Sequence, residues 1–249
     1  MTSSGSVPAT PPDRAGGAVE PSVDRRLETP RAAGVAGLAF AVLFVASILL
    51  LRSHPAAGST ATEIGDFYVR ENAGRVALVG VHLAPFAGIA FLWFIAVVRN
   101  LIGEREDQFF ATVFLGSGLL FVAMMFAAAA AEGALLVAVK FQHEPIPSPE
   151  TVVTVRSLAF AFLYVYAMRM AAVFTIVVST IGMRLGVFPR WLVIAGYLVA
   201  GALIVNVSYS ALLVLVFPAW VAAVSVVILE SATRPTRESG PPARPGRSR

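Results

Sequence analysis

The chain has 249 residues, 57% of them hydrophobic and 14% charged, with a formal net charge of +4 and no cysteine. That composition, with a mean hydropathy of +0.77, is too apolar for a soluble chain of this length. The missing cysteine removes disulfides, thiolate nucleophiles, CxxC redox chemistry and thiolate metal sites together.

Residues 1–30 are rich in Pro, Gly, Ser and Ala with mixed charge. Such a segment buries no core and is expected to be a disordered tail. A bilayer core about 30 Å thick asks for about 20 apolar residues per helix, and six runs are read as spans: Ala32–Leu51, Val76–Val98, Ala111–Val139, Ser157–Ile181, Trp191–Val205 and Ser210–Leu229. The first run starts too far from the N-terminus for a cleaved signal peptide. The last two are separated by inference, because no charge breaks the chain between Trp191 and Leu229, and that stretch is too long for one crossing. Its polar cluster Asn206-Val207-Ser208-Tyr209-Ser210 is where the chain is expected to turn. Residues 231–249 form a second expected disordered tail, basic and Pro-rich. The predicted fold is therefore an all-α integral membrane bundle of six transmembrane helices over residues 31–230.

Basic residues near the helix ends set the orientation. With the N-terminus inside, the cytoplasm receives Arg14, Arg25, Arg26, Arg31, Arg99, Arg105, Arg184, Arg190 and the arginines of the C-terminal tail, while Arg52, Arg70, Arg75, Lys140 and Arg156 fall outside. Both termini are then cytoplasmic, in a bacterial inner membrane. The net positive charge calls for no nucleic acid, because its excess flanks apolar segments where anionic lipid headgroups account for it.

In the first outer loop, Thr60-Ala61-Thr62-Glu63 has capping-box spacing, and Ile64, Phe67 and Tyr68 share a helical face away from Asp66 and Arg70. This pattern reads as a short interfacial helix. The loop Phe141–Glu150 carries Pro145, Pro147 and Pro149, which predict an extended connection. On the cytoplasmic side, residues 99–107 read as a solvated mixed-charge turn, and Pro189-Arg190-Trp191 as headgroup-level anchoring of a helix start.

Three ionisable residues lie within the apolar runs: His82, Glu132 and Arg169. Charges in hydrocarbon face a protein interior or a wet cavity. Counted from the predicted ends, His82 lies ~9 Å, Glu132 ~12 Å and Arg169 ~19 Å from the outer surface, all in the outer half. Helical side chains lean toward their own N-terminus, so Arg169 leans outward toward Glu132. Tyr164 and Tyr166 are candidate hydrogen-bond donors to the carboxylate. The small residues Ala127–Ala131 and Gly133 invite close packing beside Glu132, and Pro85 is expected to kink the second helix near His82. This cluster either locks helices in register or lines a small polar cavity open to the outside.

Catalysis finds little support. Ser117 and His82 are predicted near opposite faces, so no Ser–His pair forms. One intramembrane carboxylate defeats a paired-acid or two-metal design. His54 and His143 are isolated loop residues, and no cofactor or metal site is expected. Pro85 and Pro218 interrupt helices two and six, without a repeat between residues 32–139 and 157–229 that would pair two halves of a transporter.

The run Glu63-Ile64-Gly65-Asp66-Phe67-Tyr68-Val69-Arg70-Glu71-Asn72-Ala73-Gly74-Arg75, leading into the second span, resembles a pattern in uncharacterised bacterial multi-pass membrane proteins grouped only as a domain of unknown function. Pro189-Arg190-Trp191 is similar to the Pro-Arg-Trp before their fifth helix. The resemblance covers residues 32–230 and implies a six-helix fold and no chemistry. The sequence thus points to a non-enzymatic accessory or regulatory membrane protein, or alternatively to a small permease or binding protein for a small solute or proton. Its expected partners are the lipid bilayer and a membrane protein or a second copy of itself.

Overall fold

The computed structural model describes residues 25–51, 60, 62–63, 66, 82–102, 108–140, 142–145, 147–205 and 211–233. Among them there is no strand; the fold is all-helical. The helices are α1 (Arg25–Leu51), α2 (Ala84–Ile102), α3 (Gln108–Lys140), α4 (Pro149–Phe160), α5 (Met168–Arg184), α6 (Arg190–Val205) and α7 (Ala211–Thr233). A π-helical segment, Ala161–Ala167, joins α4 to α5. Three helical stretches are long and apolar enough to cross a membrane: Phe109–Val139, Pro149–Arg184 and Leu213–Ser231. The apolar parts of the other three, Gly34–Leu50, Ala84–Arg99 and Arg190–Val205, are shorter.

Several boundaries follow from local chemistry. The loop expected over Phe141–Glu150 is shorter than predicted, because Pro149 opens α4. Its missing N–H costs nothing in the first turn, and the Ser148 side chain accepts from the Thr151 N–H. At the far end, α5 closes on Gly186, whose φ of +65° lets the chain reverse. The Gly186 N–H reaches the Met183 carbonyl and the Val187 N–H reaches that of Gly182, the paired bonds of a Schellman cap. The chain enters α6 four residues later, so α5 and α6 pack as antiparallel neighbours. The long uncharged stretch is indeed divided, since α6 ends at Val205 and α7 begins at Ala211; the turn between them lies outside the described residues. The capping box also forms: the Thr60 N–H donates to Glu63 Oε2 at 2.8 Å and the Glu63 N–H to Thr60 Oγ1 at 3.3 Å. Ile64, Phe67, Tyr68 and Arg70 lie outside the described residues, as do both distal tails.

The core is aromatic. Phe40 and Phe44 of α1, Phe91 and Phe94 of α2, Phe114 and Phe121 of α3, Phe174 of α5 and Phe217 of α7 are all buried. Phe91 sits among them, its ring centre 4.6 Å from Phe40, 5.0 Å from Phe121, 5.2 Å from Phe174 and 5.8 Å from Phe217. These spacings and tilts suit edge-to-face attraction between ring quadrupoles. Such specific packing matters where lipid tails compete on equal terms for apolar surface. Around the core, Val35, Val42 and Leu49 of α1 and Phe86, Ile89 and Trp93 of α2 recur at helical spacing on exposed faces.

Close helix approach occurs at glycines other than the one expected. A side chain at Gly37 would strike Ser225 and Phe94, and one at Gly118 would strike Ile95. The predicted small surface beside Glu132 behaves differently. A Cβ at Gly133 would meet nothing within 4 Å, and Ala130 is exposed.

Candidate functional site

The five residues of the predicted polar cluster are distributed over α3, the π segment and α5, with His82 apart. Glu132 is half-buried on α3 and engaged with a neighbour. The helix that carries it packs against α4, the π segment and α5. Arg169, also half-buried, lies in the first turn of α5, and its Nη1 donates to the Val165 carbonyl of the π segment at 2.8 Å. A π turn displaces carbonyls from their usual partners; the Met168 N–H, for example, reaches back to Leu163. The guanidinium therefore caps its own chain, which offsets part of its desolvation.

The π segment also redirects the tyrosines. Tyr164 stacks on Phe160 with ring centres 4.5 Å apart and packs against the core. Tyr166 is 55% exposed. The wider turn runs up to Ala167, between Tyr166 and Arg169, so the regular α spacing of residues three apart does not hold there.

His82 is exposed and lies on a π-type turn two residues before the regular start of α2. Pro85 follows directly on this π-type turn, and whether it kinks a longer helix, as expected, turns on residues before 82 that lie outside the described residues. Residues 76–81, which would complete the second predicted span, lie outside the described residues.

Vertical register comes from the far end of the bundle. Arg184 of α5 stacks its guanidinium over the Phe110 ring of α3, 4.4 Å from the centroid, a cation–π contact that ties the two antiparallel helices at one level. From that level Glu132 stands ~33 Å along its helix and Arg169 ~22 Å along its own, at 1.5 Å per residue. Tyr164 stands ~30 Å up by the same measure, close to Glu132. At the level of the backbone Glu132 and Arg169 therefore differ by ~11 Å along the bundle axis on this count. The fourth helical stretch begins well before the predicted Ser157, at Pro149, whereas α3 ends at Lys140, next to the predicted Val139.

Ser117 is buried and donates to the carbonyl of Val113 at 2.7 Å. His143 lies in the loop after α3 with a left-handed φ of 59°. Among the described residues no group of three or more His, Asp or Glu is arranged to hold a metal. The features near these residues that the sequence did not signal are the eight core phenylalanines and the π segment. Phenylalanine in an apolar run carries no signal against lipid-facing residues, and a π turn has no composition of its own.

No protein-family model, curated protein or solved structure matches this chain, so its chemistry is read from its own residues.

Proposed function

We propose that the chain is a six-span protein of the bacterial inner membrane with both termini cytoplasmic, serving as a non-enzymatic accessory or regulatory component. Its helices are held together by the phenylalanine core, to which the half-buried or exposed Glu132, Tyr164, Tyr166 and Arg169 add little. The observation that carries this reading is the eight-ring phenylalanine core, contributed by five helices. A transporter needs polar groups near the bilayer midplane, whereas the centre of this bundle is filled with interlocked rings.

The axial distances favour the same reading. With the Arg184–Phe110 contact at the cytoplasmic edge of a hydrocarbon layer about 30 Å thick, Glu132 and Tyr164 reach the outer headgroup level, where tyrosines anchor helices. The three shorter apolar helices span by local thinning of the bilayer and by snorkelling of flanking residues.

The topology is tested by reporters fused to each terminus. Six crossings put both on the cytoplasmic side; three crossings put them on opposite sides and end the six-span reading. The role of the cluster is tested with single cysteines at positions 132, 164 and 169 in this naturally cysteine-free chain. An impermeant thiol reagent added outside should label position 132 and leave 169 unlabelled. Labelling at 169 in folded protein would mark a water-filled cavity and transfer support to a permease or binding protein for a small solute or proton.

A further inference from the structure

Among the described residues, the buried serine and threonine hydroxyls follow one rule, with one exception. Ser47, Ser117, Thr175 and Ser225 are all buried, and each donates to the carbonyl four residues back at 2.7–2.8 Å. Closing on the helix's own backbone satisfies a hydroxyl that has no water beside it. Ser179 of α5 is completely buried, yet its Oγ has no hydrogen-bond partner among the described residues. The same is true of the indole Nε1 of Trp220 on α7, a residue only 4% exposed.

These two atoms converge on one spot. A Cβ built on Gly196 of α6 would lie 3.0 Å from Trp220 Nε1 and would overlap Ser179 Oγ. Three helices thus meet where one has no side chain and the other two present a donor and a hydroxyl. The indole N–H only donates, while the hydroxyl donates and accepts. Neither atom is in hydrogen-bonding contact with the other, and a species that accepts from the indole and exchanges a hydrogen bond with the serine completes both.

We propose that Ser179 and Trp220 hold one small neutral hydrogen-bonding molecule, water, in the seam of α5, α6 and α7 opposite Gly196. Water has the required donor and acceptor capacity, and buried waters in proteins settle on otherwise unpaired polar groups. The site explains why Ser179 forgoes the backbone bond that its counterparts make. Gly196 leaves the room that the Ser179 hydroxyl itself takes up, with which any side chain there would collide.

Trp93 and Trp191 are 68% and 58% exposed, so Trp93→Phe with Trp191→Phe leaves Trp220 as the sole indole without touching the core. In that protein, in lipid nanodiscs, the nitrogen-15 NMR signal of the indole should show a through-space cross-peak to water. Ser179→Ala should remove it while the fold persists. A folded parent with no cross-peak to water, or with the indole bonded directly to the serine hydroxyl, overturns the proposal. Gly196→Ala alone collides with Ser179, so the seam is closed instead by Gly196→Ala with Ser179→Ala, which relieves the overlap. That folded double variant should lack the cross-peak, and its survival there would equally overturn the proposal.

Discussion

The phenylalanine core and the polar layer around Glu132 and Arg169 differ in how much the surroundings dictate each side chain. In the core, five helices contribute rings whose centres lie within 4.6–6.4 Å of their neighbours, and every ring is enclosed. In the polar layer the groups are half-buried or exposed, and Arg169 is satisfied by its own chain through Val165. Arg169 teaches that a charge within an apolar run can find its partner in its own helical segment rather than across helices. In lipid, uncharged shape complementarity between helices supplies specificity that water would have supplied by exclusion.

Breaking the core should have the largest effect. Phe91→Ala, at the centre of the cluster, is expected to cost on the order of 3 kcal/mol of stability, as large-to-small changes in close-packed cores do. Reversible unfolding in mixed micelles measures it; a loss below about 1 kcal/mol would mean that the rings are loosely packed or that lipid replaces them. Next, the glycines sharpen the contrast. Gly37→Leu should prevent α1 and α7 from closing, because even a Cβ there strikes Ser225, whereas Gly133→Ala meets open space and should stabilise α3 by up to about 1 kcal/mol through helix propensity. Equal effects at the two positions would erase the distinction between the regions.

Neutralising the polar layer should do less. Glu132→Gln combined with Arg169→Gln is expected to stay within about 1 kcal/mol of the parent, since both side chains are only half-buried. A cooperative loss of several kcal/mol would show that the pair, rather than the rings, sets the packing. The smallest effect is expected at the hydrogen bond between Thr180 Oγ1 and Tyr197 Oη, 2.9 Å long, which joins α5 to α6. Tyr197→Phe should cost about 0.6 kcal/mol, the usual worth of an interhelical hydrogen bond in a membrane. In a Thr180→Val background the same change should cost nothing further, because the hydroxyl that Tyr197 bonds is already gone.

Much of the helical layout was legible because its determinants are local. Apolar runs interrupted at Asn206–Ser210 and at Pro189 predicted where α6 starts and stops, and Thr60 with Glu63 predicted a capping box whose hydrogen bonds then formed. Polar residues were overweighted for a physical reason: a charge in an apolar run is conspicuous, while a phenylalanine there is not. Hydropathy marks where lipid can begin, not where a helix ends: α4 begins at Pro149, before the predicted Ser157, on a Ser148 cap that periodicity does not weigh.

Composition and the order of the apolar runs determined by themselves that this protein is helical and suited to a membrane, since backbone groups in hydrocarbon must pair within their own segment. Only the tertiary structure decided which face of each helix turns inward, that eight phenylalanines interlock across five helices, that the backbone widens into a π segment before Arg169, and that Ser179 and Trp220 meet at Gly196. Those outcomes depend on residues far apart in the chain reaching the same level and the same azimuth, which no local pattern records.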